Sequence, residues 1–198
     1  LVSGGHTFLS IVKDHGKYEI IGRTLDDSAG EAFDKIARQL GLNYPGGPEI
    51  SKSASETNIT AFNFPRPMIK SGDYNFSFSG LKTHVNNAIK KTKLTEKIIS
   101  EIALDFENAI SDVLIHKTLK AAKEFNINNI VVVGGVSANK KLRLRFKEEK
   151  NINEKVYFPD LQFSTDNGAM IAYLGWIKSK LKGDTSLSIN PNPSLSII

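Results

Sequence analysis

Three short turns carry the residue types best suited to binding a phosphorylated ligand. They are Ser3-Gly4-Gly5, Gly134-Gly135 with Asn139 nearby, and Thr165 to Gly168. Glycine lacks a Cβ and readily adopts positive φ, so backbone N–H groups can approach a phosphate closely. Two of the turns precede a predicted helix, whose first N–H groups also favour an anion. Because such turns meet at one edge of an α/β sheet, we expect all three to face one cleft.

Two aspartates are candidate ligand-binding residues, and each has a structural alternative. Asp166 is either the N-cap of the last helix or a carboxylate that faces a metal ion or a phosphate. Asp34 follows Gly30 on a predicted helix, where it either pairs with a lysine at the surface or contacts a ligand. The chain has no cysteine, and its four histidines show no H-E-x-x-H motif, so they form no complete zinc site.

A β-hairpin is predicted near the beginning of the chain. Phe8 to Val12 and Tyr18 to Ile21 are rich in strand-forming residues and are separated by His15-Gly16. Leu1 and Val2 are predicted to begin the first of these strands.

Helices are predicted in the middle of the chain. Apolar residues recur with helical spacing from Ala32 to Leu40, from Leu81 to Ile89 and from Ile98 to Ala121. The intervening Tyr44 to Pro48 is predicted to be a loop because it is rich in proline and glycine.

Alternation of strand and helix returns after residue 124. Ile130 to Val133 predicts a strand covered on both faces, and a basic helix follows from Ser137. Lys155 to Phe158 predicts a further strand. The last helix is predicted from Ala169 to Ile177.

Composition sets the broad class of the protein. With 198 residues and 40% hydrophobic content, the chain can bury a sizeable core. The net charge of +5 allows a polyanionic partner without requiring one. The basic clusters Lys90 to Lys93 and Lys140 to Arg145 are either solvated helix faces or nucleic-acid contacts. No apolar run approaches the roughly 20 residues of a membrane helix, so we predict a cytoplasmic protein with no membrane partner.

Seven segments of the chain follow one another in an order typical of a known family. They are L-V-S-G-G-H-T, D-D-S-A-G-E-A-F-D-K, Y-P-G-G-P, F-P-R-P-M, F-S-F-S-G-L-K-T, V-V-G-G-V-S-A-N and S-T-D-N-G-A-M-I-A-Y, between Leu1 and Tyr173. In sequence and order they resemble the tRNA N6-adenosine threonylcarbamoyltransferase family, formerly called the O-sialoglycoprotein endopeptidase family.

The resemblance implies the α/β fold of the actin-like, sugar kinase and heat-shock ATPase superfamily, with ribonuclease H-like lobes around a nucleotide cleft. Residues 1–50 would form the first part of a lobe with the phosphate-binding turn, and residues 51–124 a largely helical insertion. Residues 125–182 would complete the lobe with the nucleotide and metal turns. Residues 183–198 would be an extended tail.

The resemblance also implies an activity. The family's enzymes are metal-dependent acyltransferases that move a threonylcarbamoyl group from threonylcarbamoyl-AMP to N6 of adenosine 37 in tRNAs reading ANN codons, assisted by partner subunits. The alternative is a non-catalytic scaffold subunit of the same superfamily. The intact D-D-S-A-G-E-A-F-D-K and S-T-D-N-G segments favour the enzyme, and Y-P-G-G-P argues against an ATP-hydrolysing or sugar-phosphorylating relative.

Individual roles follow from the matching motifs. The resemblance implies substrate contacts at Leu1, Val2, Ser3, Gly4, Gly5, Asp34, Gly47 and Asn139, with Asp34 and Gly47 on the ribose side. Asp166 would be the carboxylate ligand of one divalent metal ion per full-length subunit. Two histidines and one carboxylate suit Fe(II), and Zn²⁺ can occupy similar ligands. No separate catalytic residue is assigned.

The sequence departs from the family pattern at its beginning. In the family, an H-x-x-x-H helix and the first phosphate loop lie before the Ser-Gly-Gly turn, and this sequence contains neither. We therefore expect the N-terminal lobe to be absent, the chain to be the C-terminal part of the enzyme, and this part alone to be inactive.

Overall fold

The computed structural model describes residues 1–183 and, beyond them, residues 186, 188, 190 and 192. This part of the chain is a mixed α/β structure in which helices predominate. The extended tail predicted for residues 183–198 lies largely outside the described residues. Among the residues that the structure describes, no helix is both long enough and apolar enough to cross a membrane.

Four short strands and six helices make up the described structure. The strands are β1 (Phe8–Asp14), β2 (Lys17–Arg23), β3 (Asn129–Val131) and β4 (Lys155–Tyr157). The helices are α1 (Ala29–Gln39), α2 (Gly46–Ala54), α3 (Ser79–Lys91), α4 (Glu96–Glu124), α5 (Lys140–Glu149) and α6 (Gly168–Lys182). Two 3₁₀ turns, Gly135–Ala138 and Leu161–Phe163, precede α5 and α6 respectively.

The predicted hairpin is confirmed, but its first strand begins later than predicted. β1 and β2 pair antiparallel, with Phe8 opposite Arg23. Leu1 and Val2 do not belong to β1, because the chain reverses direction at the Ser3 to His6 turn and Val2 pairs with Thr7.

Helix α2 starts inside the segment that was predicted to be a loop. Its N-cap is Pro45, and Pro48 lies in its first turn, where the missing N–H of proline removes no intrahelical hydrogen bond. The loop prediction is therefore wrong from Gly46 onward. The boundary proposed between residues 50 and 51 falls within α2, and the division of the chain into regions stays a prediction.

Helices α1 to α4 share one hydrophobic core. Phe33 of α1 and Phe106 of α4 form an edge-to-face pair with ring centroids 5.2 Å apart. Ile50 of α2 and Leu81 of α3 are fully buried in the same cluster. This core holds the first turns of α1 and α2 and the middle of α4 in fixed relative positions.

The second sheet consists of β3 and β4, which pair in parallel with Ile130 opposite Val156. The expectation that this strand is covered on both faces is wrong for the described residues. Ile130 and Val132 are each 7% exposed, whereas Val131 between them is 62% exposed. Successive strand side chains point to opposite faces, so only one face of β3 is packed. Helix α6 likewise exposes much of its apolar surface, including Trp176.

Two consecutive aspartates tie the start of α1 to the start of α3. Asp26 accepts a hydrogen bond from the Phe78 N–H at 2.8 Å. Asp27 forms ion pairs with Lys35 of α1, at 2.8 Å, and with Lys82 of α3. Burial acts to raise the pKa of Asp27, but hydrogen bonds and positive charge from the two lysines outweigh it and hold that pKa below its ordinary value of 3.8.

We predict that Asp27→Asn lowers the free energy of unfolding at neutral pH by about 1–3 kcal/mol, because two charged hydrogen bonds are weakened. A carboxyl with a lowered pKa in the folded state stabilises fully above its unfolded pKa, and this stabilisation is lost as the pH falls through the folded value. Chemical denaturation between about pH 7 and pH 2 should therefore show a shallower acid decline in the variant than in the wild type.

Asp160→Asn is the control, because Asp160 is exposed and its carboxylate has no ion pair within the described residues. Parallel acid profiles for wild type and Asp27→Asn would contradict the role assigned to Asp27.

Candidate functional site

One large cavity, of about 960 Å³, opens between α1, α2, α4 and the start of α5. Each of the three turns contributes to its wall, through Gly4, Gly135 and Thr165. Asp34, Gly47 and Asn139 also line it. The structure therefore brings the turns together at one cavity.

Backbone hydrogen bonds join the residues before the first turn to the second turn, and their close approach leaves no space for a Cβ at Gly134. The Val2 N–H donates to the Val133 carbonyl at 2.8 Å, and the Val136 N–H donates to the Val2 carbonyl at 3.1 Å. Gly134 has φ of +98°, and a Cβ there would lie 2.3 Å from the Val2 carbonyl oxygen. Glycine is therefore required at position 134 both for its φ and for this close approach.

The same turn is fixed to the N-terminus of α1. The Ser28 hydroxyl donates to the Gly4 carbonyl at 2.7 Å and also accepts the Glu31 N–H as the N-cap of α1. The Gly30 N–H donates to the Ser3 carbonyl at 3.1 Å. A Cβ on Gly30 would lie 2.6 Å from that carbonyl oxygen. The turn and the helix start therefore form one rigid wall of the cavity.

Only Gly4, of the five residues from Leu1 to Gly5, lines the large cavity. Leu1 and Val2 line a separate apolar space of about 30 Å³ in the core. The Ser3 hydroxyl accepts the N–H groups of Gly5 and His6 and so shapes the turn from within. Substrate contact by Leu1, Val2, Ser3 and Gly5 stays a prediction.

Asp34 and Gly47 lie next to each other at the cavity wall. One Asp34 oxygen accepts the Gly46 N–H at 2.8 Å, so this carboxylate supports the first turn of α2. The alternative of a surface ion pair with a lysine is wrong within the described residues, since no lysine pairs with Asp34 there. Gly47 has open space around it.

Asn139 is engaged by the protein through both ends of its side-chain amide. Its oxygen accepts the Leu142 N–H at 2.8 Å and caps α5. Its amide nitrogen donates to the Ser51 hydroxyl at 2.8 Å and to a Glu107 oxygen at 2.7 Å. Asn139 therefore links α2, α4 and α5 at the cavity wall.

Glu107, a buried carboxylate that lines the cavity, is not among the residues predicted from the sequence. Glu107 is 2% exposed and lies on α4 directly after the core residue Phe106. Lys141, also in the cavity wall, lies 3.8 Å from its second oxygen. Burial lowers the pKa of Lys141, although the charge of Glu107 opposes this shift. The stretch from Ile102 to Leu114 contains three acidic residues, Asp105, Glu107 and Asp112, among its apolar ones, and this mixture was the signal that could have drawn attention to Glu107.

The basic cluster at the start of α5 is largely turned toward the protein. Arg143 donates to the Ser137 carbonyl at 2.6 Å and to the Pro159 carbonyl at 2.8 Å. Arg145 pairs with Asp112 at 2.6 Å. Only part of this cluster is therefore free to face a polyanion, and Arg143 instead joins the 3₁₀ turn before α5 to the segment leading to Asp166.

Asp166 is exposed and is not the N-cap of α6. That cap is Asn167, whose side-chain oxygen accepts the Met170 N–H at 3.0 Å. The alternative of a capping role for Asp166 is therefore wrong. Asp166 does not itself line the cavity, but its neighbour Thr165 does.

The described residues contain no cluster of three histidine, cysteine or acidic side chains able to hold a metal ion. Asp166 offers one carboxylate, which does not make a metal site by itself.

We predict that Gly30→Ala lowers the free energy of unfolding by about 1–3 kcal/mol, because its Cβ would overlap the backbone of the Ser3 turn. The matched control is Gly47→Ala, also in a first helical turn at the same cavity but with open space around it; it should change stability by less than about 1 kcal/mol. Urea denaturation measures both variants. Equal effects would contradict the close packing at Gly30.

Comparison with known proteins identifies close relatives. The chain is 49% identical over 197 residues to the tRNA N6-adenosine threonylcarbamoyltransferase of Thermosipho africanus, covering 97% of this chain and 59% of that protein. It is 50% identical to that of Thermosipho melanesiensis, covering 100% and 59%. It is 51% identical over 181 residues to that of Ralstonia pickettii, covering 88% and 52%. The chain thus spans little more than half the length of these relatives.

The family model for tRNA N6-adenosine threonylcarbamoyltransferase matches residues 1–173, which include the turns at Gly4, Gly135 and Thr165. With this match over most of its length, the chain belongs to the tRNA N6-adenosine threonylcarbamoyltransferase family.

Proposed function

We propose that the protein transfers a threonylcarbamoyl group from threonylcarbamoyl-AMP to N6 of adenosine 37 in tRNAs reading ANN codons, and that this chain provides the C-terminal part of the enzyme. The observation that carries the proposal is the meeting of the three turns with Asp34, Gly47 and Asn139 at one cavity. The relatives are about 50% identical to this chain in sequence, and their names state the same activity.

The cavity offers suitable groups for an adenylate. Gly4 and Gly135 line the cavity, so their backbone can lie close to a bound ligand. Binding of a phosphate by backbone N–H groups requires such a close approach. One Asp34 oxygen accepts the Gly46 N–H, and we propose that the second oxygen accepts a hydrogen bond from a ribose hydroxyl beside Gly47. In the proposed reaction the amine at N6 attacks the acyl carbon and releases one proton to solvent, and AMP leaves with the electrons of the broken acyl–phosphate bond.

We propose Asp166 as one ligand of a divalent metal ion, Fe(II) or alternatively Zn²⁺. Such an ion supplies Lewis-acid chemistry when bound. Among the described residues, no group of three histidine, cysteine or acidic side chains surrounds Asp166, so further ligands would have to come from elsewhere in the full-length enzyme. Because Asn167 caps α6, Asp166 is not needed to cap that helix.

The superfamily fold, with two lobes and a helical insertion, is likewise part of the proposal, as are partner subunits and a cytoplasmic location. For tRNA, we propose a weak electrostatic contact through exposed lysines, namely Lys90, Lys91, Lys93 and Lys140. Arg143 and Arg145 are left out because their guanidinium groups bind within the protein.

The proposed function predicts that residues 1–198 alone form no threonylcarbamoyladenosine, whereas the polypeptide extended to the full length of its relatives does. The physical reason is that the resemblance assigns two histidine metal ligands to the segment before the Ser3 turn. The measurement is formation of modified tRNA with supplied threonylcarbamoyl-AMP and any required partner subunits. Modification by residues 1–198 alone would refute the metal assignment, and no modification at full length would favour a scaffold.

Asp166→Ala in the full-length polypeptide is expected to lower transfer at least about 100-fold and to reduce bound metal, because a ligand is lost. Thermal melting without metal should change little, since Asp166 makes no capping bond. The matched control is Asn167→Ala, which removes the α6 cap and should cost about 0.5–2 kcal/mol of stability while metal content is retained. An active, metal-replete Asp166→Ala protein would show that Asp166 is not a ligand.

A further inference from the structure

Glu107 is a buried charged group that the proposed roles leave unexplained. The residue is 2% exposed and lines the large cavity. A carboxylate removed from water is costly unless hydrogen bonds and opposite charge compensate it. The partners of its two oxygens therefore indicate what a ligand in the cavity would meet.

The first oxygen of Glu107 is fully occupied. It accepts the Asn139 amide N–H at 2.7 Å and the Ser51 hydroxyl at 2.5 Å. Asn139 donates its other amide hydrogen to the Ser51 hydroxyl oxygen, at 2.8 Å. These neighbours have no further hydrogen-bond donor to offer to a ligand, because a carboxamide has two N–H donors and a hydroxyl has one.

The second oxygen of Glu107 has a charge nearby but no hydrogen bond from within the described part of the chain. The Lys141 amine lies 3.8 Å from it, which is beyond hydrogen-bonding distance. Lys141 therefore balances the charge of Glu107 without satisfying this oxygen. An N–H group of a ligand would complete its hydrogen bonding.

Apolar groups of the cavity wall lie on the same helices as this cluster. Ala54 follows Ser51 on α2, Leu104 precedes Glu107 on α4, and Pro48 lies in the first turn of α2. Such side chains suit the faces of a flat ring. The combination of apolar contacts and one unsatisfied carboxylate oxygen is complementary to a heterocycle that carries an amino group at its edge.

We propose that Glu107 determines the base specificity of the site by accepting a hydrogen bond from the amino group of a 6-aminopurine nucleotide. A 6-oxopurine would instead place its own acceptor oxygen against the carboxylate. This inference rests on the proposed function, in which the donor is an adenylate. Through its contact with the Asn139 amide, Glu107 also holds that side chain in place.

The test measures nucleotide affinity by calorimetry in the polypeptide at the full length of its relatives. The probes are AMP, purine riboside monophosphate, which lacks the 6-amino group, and IMP, which carries the 6-oxo group. The wild type should bind AMP at least about tenfold more tightly than the purine analogue, and IMP most weakly, because a site built to hydrogen-bond a group rejects analogues lacking it. This comparison needs no variant, so it does not depend on whether any substitution folds.

The Glu107→Gln variant tests whether Glu107 itself makes the contact with the base. The amide oxygen can still accept from Ser51 and Asn139, while the amide nitrogen replaces the second carboxylate oxygen with a donor. The ratio of AMP to IMP affinity should fall at least about tenfold, through weaker AMP and stronger IMP binding. The control is Glu101→Gln, since Glu101 is also buried on α4 but does not line the cavity; its ratio should equal that of the wild type.

Equal wild-type affinity for the three nucleotides would overturn the proposal, as would a Glu107→Gln protein that loses AMP and IMP affinity by the same factor. Because binding is measured without turnover, the outcome is separate from the proposed function. Absence of transfer together with the expected change in ratio would refute the function and retain the base contact. Intact transfer with an unchanged ratio would refute the base contact alone.

Discussion

The close backbone packing around Val2 to Gly4 is the constraint on which the candidate site depends. This segment bonds to Val133 and Val136 on one side and to the N-terminus of α1 on the other. Carbonyl oxygens of the segment occupy the volume that a Cβ would need at Gly30 and Gly134. Glycine at these two positions therefore allows the hairpin, α1 and the turn before α5 to meet. Together these segments form much of the cavity wall.

Charged side chains add a second level of organisation, because many of them join distant segments. Asp27 holds α3 to α1 through Lys82, and the fully buried Lys117 of α4 binds Ser71 and Asp73 in the preceding loop. Arg143 connects the turn before α5 to the chain that leads to Asp166. A formal charge of +5 therefore overstates the positive surface that a polyanion would meet at α5.

Asn139, one of the proposed substrate contacts, also has a structural role. Its amide caps α5 and at the same time bonds to Ser51 and Glu107, so its orientation is fixed before any ligand enters. Fixing a polar wall in advance reduces the ordering that binding must otherwise impose. Within the described residues, the second oxygen of Glu107 at this wall accepts no hydrogen bond, and we propose that this oxygen selects the ligand.

The sequence by itself determined the hairpin and the helical periods of α1, α3 and α4, because these depend on local spacing and on side chains within a few residues. Its ordered motifs also identified the family. The beginning of α2 was not predicted from the sequence. A first helical turn that contains proline and glycine has the same composition as a loop. Val131 was misjudged for a related reason, since a run of apolar residues does not show which face of a strand is packed.

Only the tertiary structure decided which polar side chains meet. Asp34 binds Gly46 rather than a lysine, Asn167 rather than Asp166 caps α6, and Arg143 points inward. The contact of Asn139 with Ser51 joins residues 88 positions apart, and its contact with Glu107 joins residues 32 positions apart. Such pairs depend on how helices pack against one another, which no local pattern in the chain records.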